Sequence, residues 1–308
     1  MHIYLTGATG FVGGYVLPEL LRQGHSVRCL MRDKEKPLSA ENDAQIERVK
    51  GDITRPKSLA GTMRGCDAVI HLVGIIDEDP GHGITYESIH REGAAHVIDE
   101  AQRSEIEGFI LMSANGVRPD GVSGYQTTKW EAEEHVKMSG IPKWVIFRPS
   151  VIFGDPGPNK PEFASRLASS LVRPLPILPV FGDGRFEMQP VSVEEVAAAI
   201  VQALSSEISV GKTYVAAGKD RFAYNDVLDI IARGLGLGPK PKVPQPLWLI
   251  RPVIHTLGKF GILPISPDQF EMIVEGNTGD STDFYNDFDL EYIPFTSENL
   301  GYLRDDRQ

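Results

Sequence analysis

MHIYLTGATGFVGGY, residues 1–15, decides the fold. His2 to Leu5 is a short apolar run led by Ile3 and Tyr4, the pattern of a strand buried on both faces, as in a parallel sheet. Gly7, Gly10 and Gly13 follow as G-x-x-G-x-x-G, and an apolar helical pattern then runs through Val12, Val16, Leu17, Leu20 and Leu21 to Gly24. Strand, glycine turn and helix in that order let backbone come close to a pyrophosphate. The helix start adds unpaired N–H groups and the positive end of its dipole. A glycine pattern alone is weak evidence; between a strand and a helix it is far more specific. Gly7, Thr9, Gly10, Phe11, Val12 and Gly13 are the residues expected to line a dinucleotide there.

The 308 residues suffice for one large α/β domain or two small ones. Asp and Glu outnumber Lys and Arg by 42 to 31, and an acidic chain without a basic stripe argues against nucleic-acid binding. The two cysteines, Cys29 and Cys66, fall in or beside apparent strands, as buried thiols of a reducing compartment would. The first strand starts at the second residue, leaving no room for a signal peptide, and no run approaches the ~20 apolar residues of a membrane span. A cytoplasmic location follows as the expectation, with no metal assigned.

The second strand, Ser26 to Met31, runs into Arg32-Asp33, where a dinucleotide fold selects its cofactor. A carboxylate at the strand end would bond the ribose hydroxyls of NAD; an arginine would pair with the phosphate of NADP. Arg32 directly after Met31 favours NADP(H), with NAD(H) the alternative, unless Arg32 is an ordinary solvated charge. Gln45 to Lys50 is a weak third strand, and Thr54 and Pro56 start a short helix ending near Gly65. Asp52 sits where it accepts either from an adenine amino group or, as a cap, from its own turn. The fourth strand, Ala68 to Val73, sets Leu72, Val73 and Gly74 beside the cofactor; His71 within it reads as a core histidine.

A polar loop, Asp77 to Gly83, precedes a long helix from Tyr86 to Ser104 with Ile89, Gly93, Val97 and Ala101 on one face. The fifth strand is Gly108 to Ser113, and the sixth, Trp144 to Pro149, leads into Ser150 and Val151. This alternation predicts a doubly wound parallel sheet, a Rossmann fold, over residues 1–154 and completed by about 188–218. Residues 155–187 and 219–308 form a smaller, irregular, mainly helical lobe on the substrate side. In the lobe, Phe163 to Val172 and Asn225 to Gly234 read as helices; in the stretch that completes the core, Val193 to Leu204 reads as a helix and Lys212 to Ala217 as a last strand returning to the sheet. Pro239 to Pro246 reads as a connector. Leu247 to Leu257, apolar and tryptophan-bearing, is either a buried helix or one lying on a membrane surface. Ser266-Pro-Asp-Gln269 is a helix start.

Between the fifth and sixth strands, Tyr125-Gln-Thr-Thr-Lys129 opens a helix, which places the Tyr125 and Lys129 side chains one turn apart on one face. A phenol with a pKa of about 10 is a poor base at neutral pH, and a neighbouring ammonium is expected to lower it. Lys129 can also hold the nicotinamide ribose, while Tyr125 moves a proton at a substrate oxygen and Ser113 steadies that oxygen.

These segments together resemble an extended or atypical short-chain dehydrogenase/reductase. The residues that carry the resemblance are TGATGFVG at 6–13, GDIT at 51–54, VIHLVG at 69–74, YQTTK at 125–129 and RPSVIFG at 148–154. The resemblance assigns Ile53, Pro149, Ser150 and Val151 to the cofactor. A narrower resemblance adds LMSANG at 111–116 and FGDGRFEMQPVSVEEVA at 181–197 and is similar to the nucleotide-binding accessory subunit of respiratory complex I and its bacterial relatives. It implies NADP(H) and peripheral association with an inner-membrane complex. One departure stands out: the catalytic hydroxyl of the related sugar-nucleotide epimerases falls one residue after Ser113, where this chain has Ala114. Three readings follow: an oxidoreductase acting on a small substrate, a non-catalytic or redox-sensing nucleotide holder, and a sugar-nucleotide epimerase or dehydratase.

Overall fold

In the computed structural model, which describes residues 1–40, 43–157, 162–258 and 265–304, the chain divides into two compact units. The first comprises Met1–Pro149, Glu194–Ala216 and Thr282–Leu290. Its strands and helices, in chain order, are β1 (His2–Thr6), α1 (Gly13–Arg22), β2 (Ser26–Met31), β3 (Ile46–Lys50), β4 (Ala68–His71), α2 (Gly93–Arg103), β5 (Gly108–Met112), α3 (Gly124–Met138) and β6 (Lys143–Pro149). The helix Val193–Ala203 and the strand Lys212–Ala216 complete it. The seven-stranded parallel sheet has the order (Lys212–Ala216)-β6-β5-β4-β1-β2-β3.

The chain winds outward from β1 through β2 to β3, then returns to the other side of β1 at β4. In folds of this kind, ligands bind at the carboxyl ends of the strands beside that reversal. Ile3, Tyr4 and Leu5 have no solvent exposure, as a central strand covered on both faces requires. On one face Tyr4, Val69 and Phe109 pack with Val97, Ala101 and Val136 of α2 and α3. Cys29 and Cys66 are buried free thiols.

Two readings of the sequence are corrected here. The helix expected between Thr54 and Gly65 is a single 3-10 turn, Pro56–Ser58, because Gly61 and Gly65 take φ of +73° and +77° and turn the chain. The long helix after Tyr86 is not uniform: Glu87–Glu92 is a wider π-helical turn, and α2 proper starts at Gly93.

The second unit comprises residues 150–193, 217–281 and 291–308. Its strands are short and paired two by two: Ile152–Phe153 with Val191–Ser192, Glu187–Met188 with Phe222–Ala223, and Leu178–Phe181 with Lys242–Gln245. The last pair corrects the connector expected over Pro239–Pro246. Pro244, which lacks an N–H, is tolerated because the ladder has only two strands and leaves its outer edge open. Phe153, Val172, Leu178, Val227, Leu228, Ile231 and Phe295 form the unit's core. Ser266 caps the helix Pro267–Glu275 reciprocally with Gln269, at 3.2 and 3.1 Å. Of Asp155 to Pro161, an irregular stretch with three prolines and a glycine, residues 158–161 lie outside the described residues.

Candidate functional site

The glycine turn divides its labour by position. Gly7, at φ +80°, lies against the backbone of Leu72, and a Cβ there would sit 3.1 Å from the Leu72 carbonyl carbon. A Cβ on Gly13 would lie 2.1 Å from the Gly7 oxygen, so only glycine lets α1 start this close to β1. Gly10 is different. It is exposed, and a Cβ there would meet only the Gly7 oxygen at 3.1 Å, so its outward side is open. The Gly10 N–H bonds that same oxygen at 2.9 Å, closing the turn. Among the described residues no side chain caps the start of α1, and no carboxylate occupies its first turn. An uncapped helix start behind an open glycine backbone is a cradle for an anionic group. Thr9 and Phe11 are half-buried beside it, Val12 is buried, and the Phe11 ring stands edge-on to Tyr15.

Tyr125 and Lys129 lie on the first two turns of α3, whose start is fixed by Ser123 accepting from the Gln126 N–H. Lys129 is 4% exposed, and its ammonium donates to one oxygen, the Met112 carbonyl at 3.0 Å. An ammonium has three donors, so two are left without an acceptor among the described residues. Nζ also lies against Gly74, where a Cβ would come within 3.1 Å of it. Burial pushes Lys129 down to about 8, against the pull of the Glu133 carboxylate. Glu133, one turn further along α3 and fully buried, is held by both arms of Arg148 at 2.8 and 2.6 Å.

The Tyr125 ring is half-buried, edge-on to His90 at 5.0 Å and to Tyr86 at 5.7 Å. Burial pushes its hydroxyl up to about 12, the reverse of the lowering expected from the neighbouring ammonium. Desolvation is the cause; the Lys129 ammonium is turned toward the Met112 carbonyl. Ser113, directly after β5, is 3% exposed, and its Oγ is buried without a hydrogen-bond partner among the described residues. An unsatisfied buried hydroxyl calls for a partner that a ligand could supply.

His90 and Tyr86 were not singled out in the sequence. His90 sits in the π-helical turn, stacked on Tyr86 at 5.4 Å. Its Nε2 accepts from the Ile75 N–H at 3.0 Å, so the proton is on Nδ1, which faces Thr128 Oγ1 at 3.4 Å. Burial and then the Lys129 charge push it down to about 2, and it is neutral. No periodicity marks such a residue; its neighbour Ile89 carries the apolar pattern. His71 is the expected core histidine, bonded to Thr6 Oγ1 at 2.8 Å and pushed down by burial to about 3.

The remaining positions fall as follows. Leu72 is buried at the end of β4, Val73 is half-buried and Gly74 exposed. Asp52 acts as a turn cap, its Oδ1 accepting from the Thr54 N–H and hydroxyl at 3.0 and 2.9 Å. Ile53 is buried against Gly93. Arg32 is exposed and makes no ion pair among the described residues; Asp33 caps its own turn through the Glu35 N–H at 3.0 Å. Pro149 ends β6 and accepts from Asn115 N–H at 2.8 Å. Ser150 and Val151 belong to the second unit, bonded there to the Gln189 carbonyl and, at 3.0 Å, to Asn277. A cavity of about 590 Å³ opens at the opposite edge of the sheet, lined by Asp67, Gly108 and Lys143 at the strand starts, away from Tyr125 and Lys129.

Comparison with known proteins agrees with this cradle. Residues 7–207 match the model of a family described as NAD(P)H-binding. The chain is 26% identical to the mitochondrial NADH-ubiquinone oxidoreductase 40 kDa subunit of Neurospora crassa, over 86% of this chain and 68% of that one. It is 28% identical to the ceramide reductase of Caulobacter vibrioides, over 79% and 74% respectively. In fold it matches the UDP-glucuronic acid 4-epimerase of Bacillus cereus in complex with NAD, with a TM-score of 0.75, 18% identity, and 99% and 98% of the two chains covered. The chain belongs to the NAD(P)H-binding family and is an extended short-chain dehydrogenase/reductase-like protein.

Proposed function

We propose that this member of the NAD(P)H-binding family is an NADP(H)-dependent oxidoreductase that uses Tyr125 and Lys129 on a small-molecule substrate. The observation that carries the reading is the Lys129 ammonium, 4% exposed and donating to a single carbonyl. Buried donors without acceptors are unfavourable, and the ribose hydroxyls of a nicotinamide nucleotide would accept both. The nucleotide, when bound, supplies or takes up hydride. The chain's own residues do the rest. The turn at Gly10 and the open start of α1 hold the pyrophosphate, and Lys129 orients the ribose. Tyr125 holds or moves the proton at the substrate oxygen, and the unpartnered Ser113 hydroxyl bonds that oxygen. Asp52, Ile53, Leu72, Val73, Gly74 and Pro149 border the cofactor in this reading.

Arg32, exposed and without an ion pair among the described residues, sets the preference for NADP(H). A charge-assisted pair with the 2′-phosphate contributes about 1.5–3 kcal/mol. NADP(H) should therefore bind at least about tenfold tighter than NAD(H), and Arg32→Ala should remove most of the difference. Isothermal titration with both nucleotides checks this; equal affinities in the unmodified protein would exclude it. Mass spectrometry of the co-purifying nucleotide, followed by a turnover screen with it, tests the activity.

A second reading, a non-catalytic nucleotide holder that docks peripherally on an inner-membrane respiratory complex, is favoured by one observation. Ala114 occupies the place where related epimerases carry their hydroxyl, leaving only the buried Ser113. The Neurospora relative, named as a subunit of a mitochondrial NADH-ubiquinone oxidoreductase, points the same way. A cytoplasmic location, with or without that docking, fits both readings.

A further inference from the structure

The helix Leu247–Leu257 in the second unit presents its apolar side outward. At 3.6 residues per turn, Trp248, Leu249, Pro252, Val253 and Thr256 share one continuous stripe, and all five are exposed. Trp248 is 78% exposed, Leu249 53% and Val253 39%, while Ile254 on the opposite side is 2% exposed. Val243, on the strand that precedes the helix, is also 46% exposed. An ordinary surface helix points its polar side outward, so this arrangement marks a docking face.

Charge identifies what the face meets. The chain as a whole carries −11, yet from Ile230 to Pro267 it has no Asp or Glu, while Arg233, Lys240, Lys242, Arg251 and Lys259 all fall there. The carboxylate bordering the helix, Glu271, is bridged by Arg251 at 3.0 Å and His255 at 2.8 Å, which neutralises it. Nothing acidic on the helix itself would repel an anionic surface. A tryptophan-bearing apolar stripe in an acid-free, basic segment is the composition of a helix that lies in the headgroup layer. Eleven residues span only about 16 Å, too short to cross a bilayer.

We propose that this helix seats the protein on an anionic bilayer surface, with Trp248, Leu249 and Val253 inserted at the headgroup boundary. Flotation of the full chain with vesicles of phosphatidylcholine, with and without phosphatidylglycerol, tests it. The unmodified protein should float with the anionic vesicles, less so at high salt. The double variant Trp248→Ser/Leu249→Ser should lose at least about tenfold in partitioning, since burying each side chain is worth roughly 1.5–3 kcal/mol and 1.4 is a factor of ten. Its melting temperature and nucleotide affinity should not change. Ile208→Ser, at a 64% exposed site in the first unit, should bind as the unmodified chain does. Arg251→Glu, which leaves the stripe intact, should weaken binding to the anionic vesicles. Failure to float with either vesicle, or equal flotation of the double variant, would overturn the proposal. So would a dimer in solution that the double variant dissolves, which would make the face an interface between copies.

Discussion

Tyr125 and Lys129 are one helical turn apart, and burial drives their pKa values in opposite directions, to about 12 and about 8. Both shifts favour the neutral forms. A neutral tyrosine that already holds its proton is suited to deliver it to a substrate oxygen, which is the direction a reductase needs. Tyr125→Phe should then lower turnover at least about a hundredfold while nucleotide affinity barely changes, because the proton matters only in the transition state. Lys129→Met should weaken both. Steady-state rates and direct titration separate the two, and loss of the nucleotide in Tyr125→Phe would refute the role given to the tyrosine. The spacing of the pair was legible in the sequence. The sign of the tyrosine shift was not, since it comes from burial, and the rings of Tyr86 and His90 that stand against Tyr125 are brought there only by the fold. The same residues predict acid sensitivity. His71 and His90, with ordinary values of 6.5, are pushed to about 3 and about 2 in the folded state. The unfolded chain therefore binds more protons between these limits, so stability is fully present above 6.5 and lost as pH falls toward 3 and below. Each group contributes a slope of up to about 1.4 kcal/mol per pH unit. Urea melts across that window should show the slope, and His90→Gln should remove about one group's share of it.

At the scale of elements, the glycine turn was legible because its demands are local: strand, turn and helix lie within the first twenty-two residues. The structure adds that its glycines are not equivalent. Gly13→Ala forces a methyl to within 2.1 Å of the Gly7 oxygen and should destabilise the chain by about 1–3 kcal/mol or more. Gly10→Val, at an exposed position facing the cradle, should leave the fold intact and abolish nucleotide binding. Thermal melts and titration of the two variants check the contrast; a folded Gly10→Val chain that still binds nucleotide would place the pyrophosphate elsewhere. The elements that sequence reasoning missed share a cause. Lys242–Gln245 is a strand only because Leu178–Phe181, far away in the chain, lies beside it, and Pro244 within it, with Pro241 and Pro246 at its ends, reads locally as a linker. The π-helical turn at Glu87–Glu92 follows a continuous helical pattern and carries no local mark of its own.

At the scale of the whole molecule, the regular alternation over the first half specified the doubly wound sheet, because each βα step repeats the same periodicities. The second unit has no such repeat. Its two-residue strands, Ile152–Phe153 and Glu187–Met188, pair with partners tens of residues away and are too short to show a pattern. The segregation of charge from Ile230 to Pro267 was present in the sequence, but its meaning depends on which side of the helix Leu247–Leu257 faces out. The nucleotide should couple to the folding of the whole chain. The Lys129 ammonium and the Ser113 hydroxyl are buried with unmet hydrogen-bonding capacity, and the start of α1 is uncapped; each is a debit that a bound nucleotide and substrate would relieve in the folded state alone. A ligand that binds only the folded state at a hundred times its Kd adds about 2.7 kcal/mol of stability. For a chain of this size that is a rise in Tm on the order of 5 °C. Scanning calorimetry with saturating NADPH should show this rise in the unmodified protein and in Tyr125→Phe, whose phenol is not needed for binding. Gly10→Val should show none, and NADH at the same concentration should give a smaller rise than NADPH. A Tm that neither nucleotide moves would remove the nucleotide from the account of this chain altogether.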